Sequence, residues 1–275
     1  MMKPNHYQNK ICWITGASSG IGASLAISLS RLGARLILSA RTRENLEKVR
    51  IQCSDPDKVV ILVCDMESLS DLSAVAKESW TIYKRIDYVF LNAGFAVRDM
   101  VINTDLEMFQ KEMNINYFSS VVISKTLLPF MLERKSGAFV VTSSLSGKYG
   151  IPKLAAYSAS KHALHGFFES LRAEHEADGI QVTIIIAGLV KTDITLHALK
   201  GNGEPYAMME ESITRGISPE LCASQIVQAV AKRKNEALVG GIEKYSVLFK
   251  RFFPGILTYA IRNHPVRILK KLGLL

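Results

Sequence analysis

The 275-residue chain has only four cysteines, Cys12, Cys53, Cys64 and Cys222, scattered and without a C-x-x-C pair. That excludes a disulfide framework, which belongs to short secreted chains, and a zinc site built on paired thiolates. Reduced, mostly buried thiols are the expected state. No apolar stretch reaches the roughly 18 uninterrupted residues that a spanning helix needs. Before the first apolar run at Ile11 the sequence MMKPNHYQNK is polar, without the hydrophobic core of a signal peptide. A cytoplasmic location is the expectation. Low-complexity linkers and short-period repeats are also lacking, which favours one domain. Acidic residues are missing after Glu243, while Lys244, Lys250, Arg251, Arg262, Arg267, Lys270 and Lys271 crowd the C-terminal segment.

Hydrophobic residues make up 48% and charged residues 21% of the chain, the balance of a folded globular body. The net charge of +9 fits an anionic partner or merely a solvated basic face. No nucleic-acid-binding module is recognisable, so nucleic acid is not an expected partner.

Short β-branched apolar runs recur: ICWIT at 11–15, RLILSA at 35–40, VVILVC at 59–64, YVFLNA at 88–93, AFVVTS at 138–143 and VTIIIA at 182–187. Each reads as a strand buried on both faces. Helical periodicity lies between them, as at Ile21, Leu25, Leu29 and Leu32, closed by Gly33. Long helices are predicted over 105–133 and 155–177, and Ser218 with Pro219 opens a later one. The alternation predicts an α/β fold: a doubly wound parallel sheet with helices on both faces. Residues 1–243 form the domain, with a substrate loop at about 193–217, and 244–275 form a basic, apolar C-terminal extension.

Directly after the first strand stands TGASSGIG, followed by a helix. Gly16, Ser18, Ser19, Gly20, Ile21 and Gly22 would bring backbone N–H groups and a helix N-terminus close to a pyrophosphate. Sites that prefer NAD place an acid at the end of the second strand. Here Ala40 takes that place and Arg41 follows, a guanidinium able to pair with a 2′-phosphate. NADP(H) is therefore favoured over NAD(H). Alternatively, Arg41 and Arg43 merely open a solvated loop.

A tyrosine and a lysine stand one turn apart in YSASK, at Tyr157 and Lys161. Such a pair is commonplace on amphipathic helices. Residues four apart share a helix face, however, and a nearby ammonium would lower the phenol pKa toward a useful range.

Taken in order, TGASSGIG, LNAG at 91–94, the Ser144 region and YSASK resemble the short-chain dehydrogenase/reductase family, from about Ile11 through the helix after Ser218. The stretch SSLSGKYGIPKLAAYSASKHALHGFFESLRAE is further similar to its hydroxysteroid-dehydrogenase-like and dehydrogenase/reductase branch. The resemblance implies a Rossmann-type sheet and hydride exchange between a nicotinamide and a carbonyl or secondary alcohol. Tyr157 would then be the acid/base, assisted by Lys161. Ser144, rather than the adjacent Ser143, would hold the substrate oxygen, and Asn116 would maintain a water-linked proton path to the lysine, with Asn114 the weaker alternative. Asp65, followed by Met66, matches the acid that binds the adenine, although an Asp there could equally cap the next helix. Asn92, Ala93 and Gly94 match the segment over the adenine ribose. Gly188, Val190 and Thr192 match the nicotinamide segment, where Ala187 replaces the family's proline.

The loop DITLHALKGNGEPYAMMEESITRGI has the length of a lid, with Tyr206, Met208 and Met209 suited to a lipophilic substrate. His162 and His165 lack a carboxylate at a metal spacing, so no metal site is expected. The basic, aromatic tail could rest on an anionic membrane surface, cover a second subunit in a homodimer or homotetramer, or pack on its own domain. The expected function is an NADP(H)-dependent carbonyl/alcohol oxidoreductase acting on a lipophilic substrate. The alternatives are a 3-oxoacyl-carrier-protein reductase, or a sensor that binds NADP without turnover.

Overall fold

The computed structural model describes residues 5–263. Seven strands form one parallel sheet: β1 (Ile11–Thr15), β2 (Arg35–Ser39), β3 (Val59–Ile61), β4 (Tyr88–Leu91), β5 (Gly137–Ser144), β6 (Ile180–Ala187) and β7 (Glu236–Val239). Their order is β3-β2-β1-β4-β5-β6-β7, so the chain winds outward in both directions from β1 and β4. That reversal leaves a crevice at the strands' C-terminal ends, where open α/β sheets bind ligands.

Two helical layers cover the sheet, and the strand alternation assigns each side chain to one of them. Cys12 and Ile14 face a core shared with α1 (Gly20–Arg31), α2 (Arg43–Gln52) and α8 (Pro219–Ala231). Ile11 and Trp13 face the other, shared with α3 (Leu69–Tyr83), α5 (Ser119–Glu133) and α6 (Ala155–His175). Buried Trp13 satisfies its indole N–H on Ser39 Oγ at 2.8 Å, and that hydroxyl donates to Leu62 O at 2.6 Å.

The predicted elements are recovered with four differences. The third strand proper stops at Ile61 instead of Cys64, although the N–H groups of Leu62 and Cys64 still donate to Leu38 O (3.0 Å) and Ala40 O (3.1 Å) while Val63 and Asp65 face solvent. The fourth stops at Leu91, where Asn92 leaves the ladder to bond the β1 end. The short β7 was not marked by any apolar run. The predicted helix over 105–133 is α4 (Leu106–Met113) and α5 joined by a π-helical turn, Asn114–Phe118. By length and composition this 28-residue helical run could cross a membrane, but Ile123, Leu127 and Met131 pack in the sheet's core.

Ser218 caps α8 as predicted, its Oγ accepting the Leu221 N–H at 3.2 Å. Within the loop at 193–217 lies one short helical turn, α7 (Glu211–Thr214). Of the C-terminal extension, the described part forms α9 (Ser246–Phe252) and α10 (Pro254–Asn263). Val247, Leu257 and Ile261 pack on Leu145, Tyr149 and Ile186, and Tyr149 shares a 2.6 Å hydrogen bond with Ser246. Arg267, Lys270 and Lys271 lie outside the described residues.

Candidate active site

The glycine loop connects β1 to α1 at the crevice. Gly16 has φ +64°, and a Cβ there would stand 2.7 Å from Ala93 Cα. A Cβ on Gly22 would stand 2.1 Å from the Gly16 carbonyl oxygen, so only glycine lets α1 start this close to the loop. Ser19 is the N-cap of α1, and Ile21 packs against the core. Gly20 abuts Thr192: a Cβ on it would meet Thr192 Cγ2 at 3.0 Å. The first turn of α1 thus presents free N–H groups beside the β6 end.

Asn92 ties this loop to the sheet. Its amide donates to the carbonyls of Thr15 (3.3 Å) and Gly16 (3.4 Å), and its Oδ1 accepts from Thr142 Oγ1 at 3.2 Å. Thr15 Oγ1 accepts the backbone N–H groups of Asn92 and Ala93 at 3.0 and 3.1 Å. The predicted ribose segment is therefore also the brace between β1, β4 and β5.

Arg41 is exposed directly after β2, with Ala40 buried beneath it. Asp65 is exposed too, and its Oδ1 accepts the Glu67 N–H at 3.0 Å. Ser68 holds the N-cap position of the next helix, without a side-chain cap bond, so Asp65 closes a turn and does not cap that helix. Met66 is buried in the core, which leaves only its backbone to face a ligand. Gly188 donates its N–H to Val239 O at 2.7 Å, and Val190 is bridged to Ile217.

Ser144 and Tyr157 meet at the crevice floor, where the Ser144 side chain favours the phenolate and its Oγ accepts the Ser146 N–H at 3.2 Å. Strand alternation separates the two serines: buried Ser143 turns to α6 and pairs with His165 Nε2 at 3.0 Å. Lys161 is buried and donates to Thr142 O at 2.8 Å. Asn116 is buried at the π turn, where it clamps Phe95 through both backbone groups (2.8 and 2.9 Å) and donates to Ser160 Oγ at 3.0 Å. Asn114 opens the same turn and is only partly buried. A Cβ on Gly94 would lie 3.6 Å from Lys161 Nζ and 3.7 Å from Asn116 Oδ1, so one gap joins these three residues.

One electrostatic expectation is corrected. The Lys161 ammonium does not bring the phenol into a neutral range: Tyr157 is pushed up to about 12. Burial is the largest cause, and the nearby Glu112 carboxylate adds to it. The neighbouring Ser144 side chain and the Arg98 guanidinium pull the other way without prevailing. Burial also depresses Lys161 to about 8, against the opposing pull of Glu112.

Three residues at the site carried no signal in the sequence analysis. Glu112 on α4 is fully buried, and burial raises its carboxyl to about 8. It precedes Asn116 by four residues, so a helix-face comparison could have found it. Arg98 reaches the loop at 193–217: its Nη2 lies 3.3 Å from Glu210 Oε1, which also accepts the Tyr206 O–H at 2.6 Å. Glu243 extends its Oε1 to the N–H groups of Leu189 (3.0 Å) and Gly241 (2.9 Å), filling the space a side chain at Gly188 would need. Met208 and Met209 are exposed, and Met209 Sδ accepts the Thr195 O–H at 3.6 Å.

Among the described residues His165, Glu169 and Glu236 gather potential metal-ligating atoms within 4.8 Å. Lys148 already donates to Glu236 at 2.6 Å, so an ammonium supplies the positive charge there. His165 and Lys148 together hold the Glu236 carboxyl down at about 2.

The crevice fits a dinucleotide on its own terms: glycines where a Cβ would collide, a helix N-terminus, and a buried ammonium beside an open gap. The family model described as short chain dehydrogenase matches residues 10–202. A Drosophila melanogaster relative named "Dehydrogenase/reductase SDR family protein 7-like" is 34% identical over 270 residues, covering 96% of this chain and 83% of that one. A crystal structure of a short-chain dehydrogenase/reductase from Burkholderia phymatum in complex with NAD superposes with a TM-score of 0.80. It covers 91% of this chain and 96% of that one at 19% identity, a likeness of fold. One from Beutenbergia cavernae, described as an NAD(P)-dependent gluconate 5-dehydrogenase with bound NADP, gives a TM-score of 0.74 at 26% identity, covering 85% and 95%. This chain belongs to the short-chain dehydrogenase family, and is an oxidoreductase with a Rossmann-type nucleotide-binding sheet.

Proposed function

We propose that the protein interconverts a carbonyl and a secondary alcohol with NADP(H), using Tyr157 as the acid/base. The observation that carries this is the placement of the Ser144 side chain next to the Tyr157 phenol, with Lys161 buried beside its ring, at the sheet end that holds the glycine loop. The bound dinucleotide supplies or accepts hydride. Ser144 holds the substrate oxygen next to the phenol and stabilises charge developing there. Tyr157, kept protonated by burial, donates its proton to that oxygen during reduction. Lys161 stays near by as the cation that compensates the phenolate, and Asn116 fixes the Phe95 backbone, which follows the Gly94 that adjoins it.

Arg41 after β2, in the absence of an acid at Ala40, supports a 2′-phosphate and hence NADP(H). Exposed Leu196, Met208 and Met209 on the loop at 193–217 support a lipophilic substrate. Four free buried thiols support a reducing, cytoplasmic setting. Exposed Phe252, Phe253, Ile256 and Tyr259 beside Lys250, Arg251 and Arg262 support a covered C-terminal face, by a second subunit or an anionic membrane surface.

The test is NADPH oxidation by the purified protein over steroid, aliphatic, aromatic and acyl-thioester carbonyls, with Tyr157→Phe in parallel. Turnover that disappears in the variant supports the reading and identifies the substrate class. Turnover that survives in Tyr157→Phe overturns it.

A further inference from the structure

Two kinds of side chain stand on the outer side of α9 and α10: large apolar groups and cations. α10 turns Leu257 and Ile261, one turn apart, onto the cluster of Leu145, Tyr149 and Ile186, and leaves Ile256 and Tyr259 outside. α9 does the same, with Val247 inward and Leu248, Phe249 and Phe252 outward. The rings of Phe249 and Phe253 lie 5.2 Å apart and carry the stripe from one helix to the next. Phe252, Ile256 and Tyr259 are each more than half exposed.

The charge of this segment is equally one-sided. Residues 244–275 hold seven of the 34 basic residues and none of the 25 acidic ones, so they carry seven of the nine net positive charges. Lys244 donates to Gly240 O and Lys250 to Lys148 O, but Arg251 and Arg262 are exposed, and no acid among the described residues pairs with them. A twofold contact between copies sets the same patch of each subunit against itself. Here it would bring cation against cation, with no acid in the segment to compensate. A soluble polyanion would satisfy the charge and leave Leu248 and Ile256 in water. An anionic bilayer satisfies both, with headgroups for the cations and acyl chains for the apolar stripe.

We propose that α9 and α10 dock the protein on an anionic phospholipid surface, with Leu248, Phe249, Phe252, Phe253, Ile256 and Tyr259 at the acyl boundary and Arg251 and Arg262 among the headgroups. The inference rests on the reading of a covered C-terminal face and is independent of the Tyr157 chemistry. The two helices pack on Leu145, which directly follows Ser144. Docking thus leaves one layer of helix between the bilayer and the Ser144 end of the crevice, the end that a lipophilic substrate must reach.

The test is flotation of the purified protein with phosphatidylcholine vesicles, with and without phosphatidylglycerol, beside sedimentation of the lipid-free protein. The protein is expected to float with the anionic vesicles and not with the neutral ones, and added salt lowers the bound fraction. Arg251→Gln combined with Arg262→Gln lowers the partition coefficient about 25-fold, about fivefold per charge. Phe252→Ser lowers it about tenfold. All three positions are exposed, so the variants keep their core, and thermal melts check this. Equal flotation with both vesicles overturns the proposal, as does binding that the arginine pair weakens and Phe252→Ser leaves unchanged, the mark of a soluble polyanion site. A dimer that Phe252→Ser dissociates, without flotation, keeps the covered face and assigns it to a second copy, which also overturns the proposal. A monomer that does not float overturns both the proposal and the covered face.

Discussion

Lys161 Nζ lies 5.5 Å from the centre of the Tyr157 ring and donates to the Thr142 carbonyl, so the ammonium stands beside the ring and does not bond the hydroxyl. Burial then dominates and holds the phenol near 12. A difference titration of phenolate absorbance, wild type against Tyr157→Phe, is expected to show no Tyr157 signal below about pH 10 in the protein without nucleotide. A signal near neutrality would restore the lysine-activated phenol. Because the folded value is raised, the protonated form is the stable one across the neutral range, which suits a proton donor in reduction. Ser144→Ala removes a contact that favours phenolate, so the phenol should become still harder to ionise.

The glycine loop offers a test of binding separate from chemistry. Gly22→Ala places a Cβ 2.1 Å from the Gly16 carbonyl, and backbone cannot swing aside as a flexible side chain would. The loop must move away from the α1 N-terminus. NADPH affinity, read by fluorescence titration, is expected to fall more than about tenfold, equivalent to about 1.4 kcal/mol or more. Gly150→Ala, where a Cβ meets nothing within 4 Å, is the control expected to bind as wild type.

Arg41 tests cofactor choice. If its guanidinium pairs with a 2′-phosphate, Arg41→Ala should raise the KM for NADPH about tenfold and leave that for NADH nearly unchanged. Equal effects on both would assign Arg41 to a solvated loop. Arg41 is exposed, so its removal leaves the core intact, and a thermal melt checks this.

The strands were legible because parallel strands buried on both faces need continuous β-branched runs, as ICWIT and VTIIIA show. β7 was not, since four residues at the sheet edge carry no such run. The Ser144, Tyr157 and Lys161 set was legible through resemblance, and strand alternation explains why Ser143 points elsewhere. Glu112 was hidden by its type: a glutamate between Lys111 and Met113 reads as solvated, and only packing of α4 against α6 encloses it. Glu243 was hidden by distance, bonding Leu189 across 54 positions of chain. The phenol's electrostatics were misjudged because helix spacing places Lys161 on the same face without saying where Nζ points.

Asp87 at the start of β4 provides a stability test away from the site. Its Oδ2 accepts the Ile11 N–H at 2.9 Å, joining β4 to the first residue of β1, and Arg85 pairs with it at 2.7 Å. Burial would raise this carboxyl, but the Arg85 hydrogen bond and the Ile11 N–H outweigh it, and the group lies below the ordinary aspartate range. A lowered folded value means the contribution is complete above the unfolded pKa of about 3.9 and is lost as pH falls through the folded value. Asp87→Ala leaves the Ile11 N–H without its acceptor, so chemical denaturation near neutrality should show a loss of about 1–3 kcal/mol. The gap between variant and wild type should narrow below about pH 4. A gap independent of pH would mean that the carboxylate charge contributes nothing and that packing alone is lost.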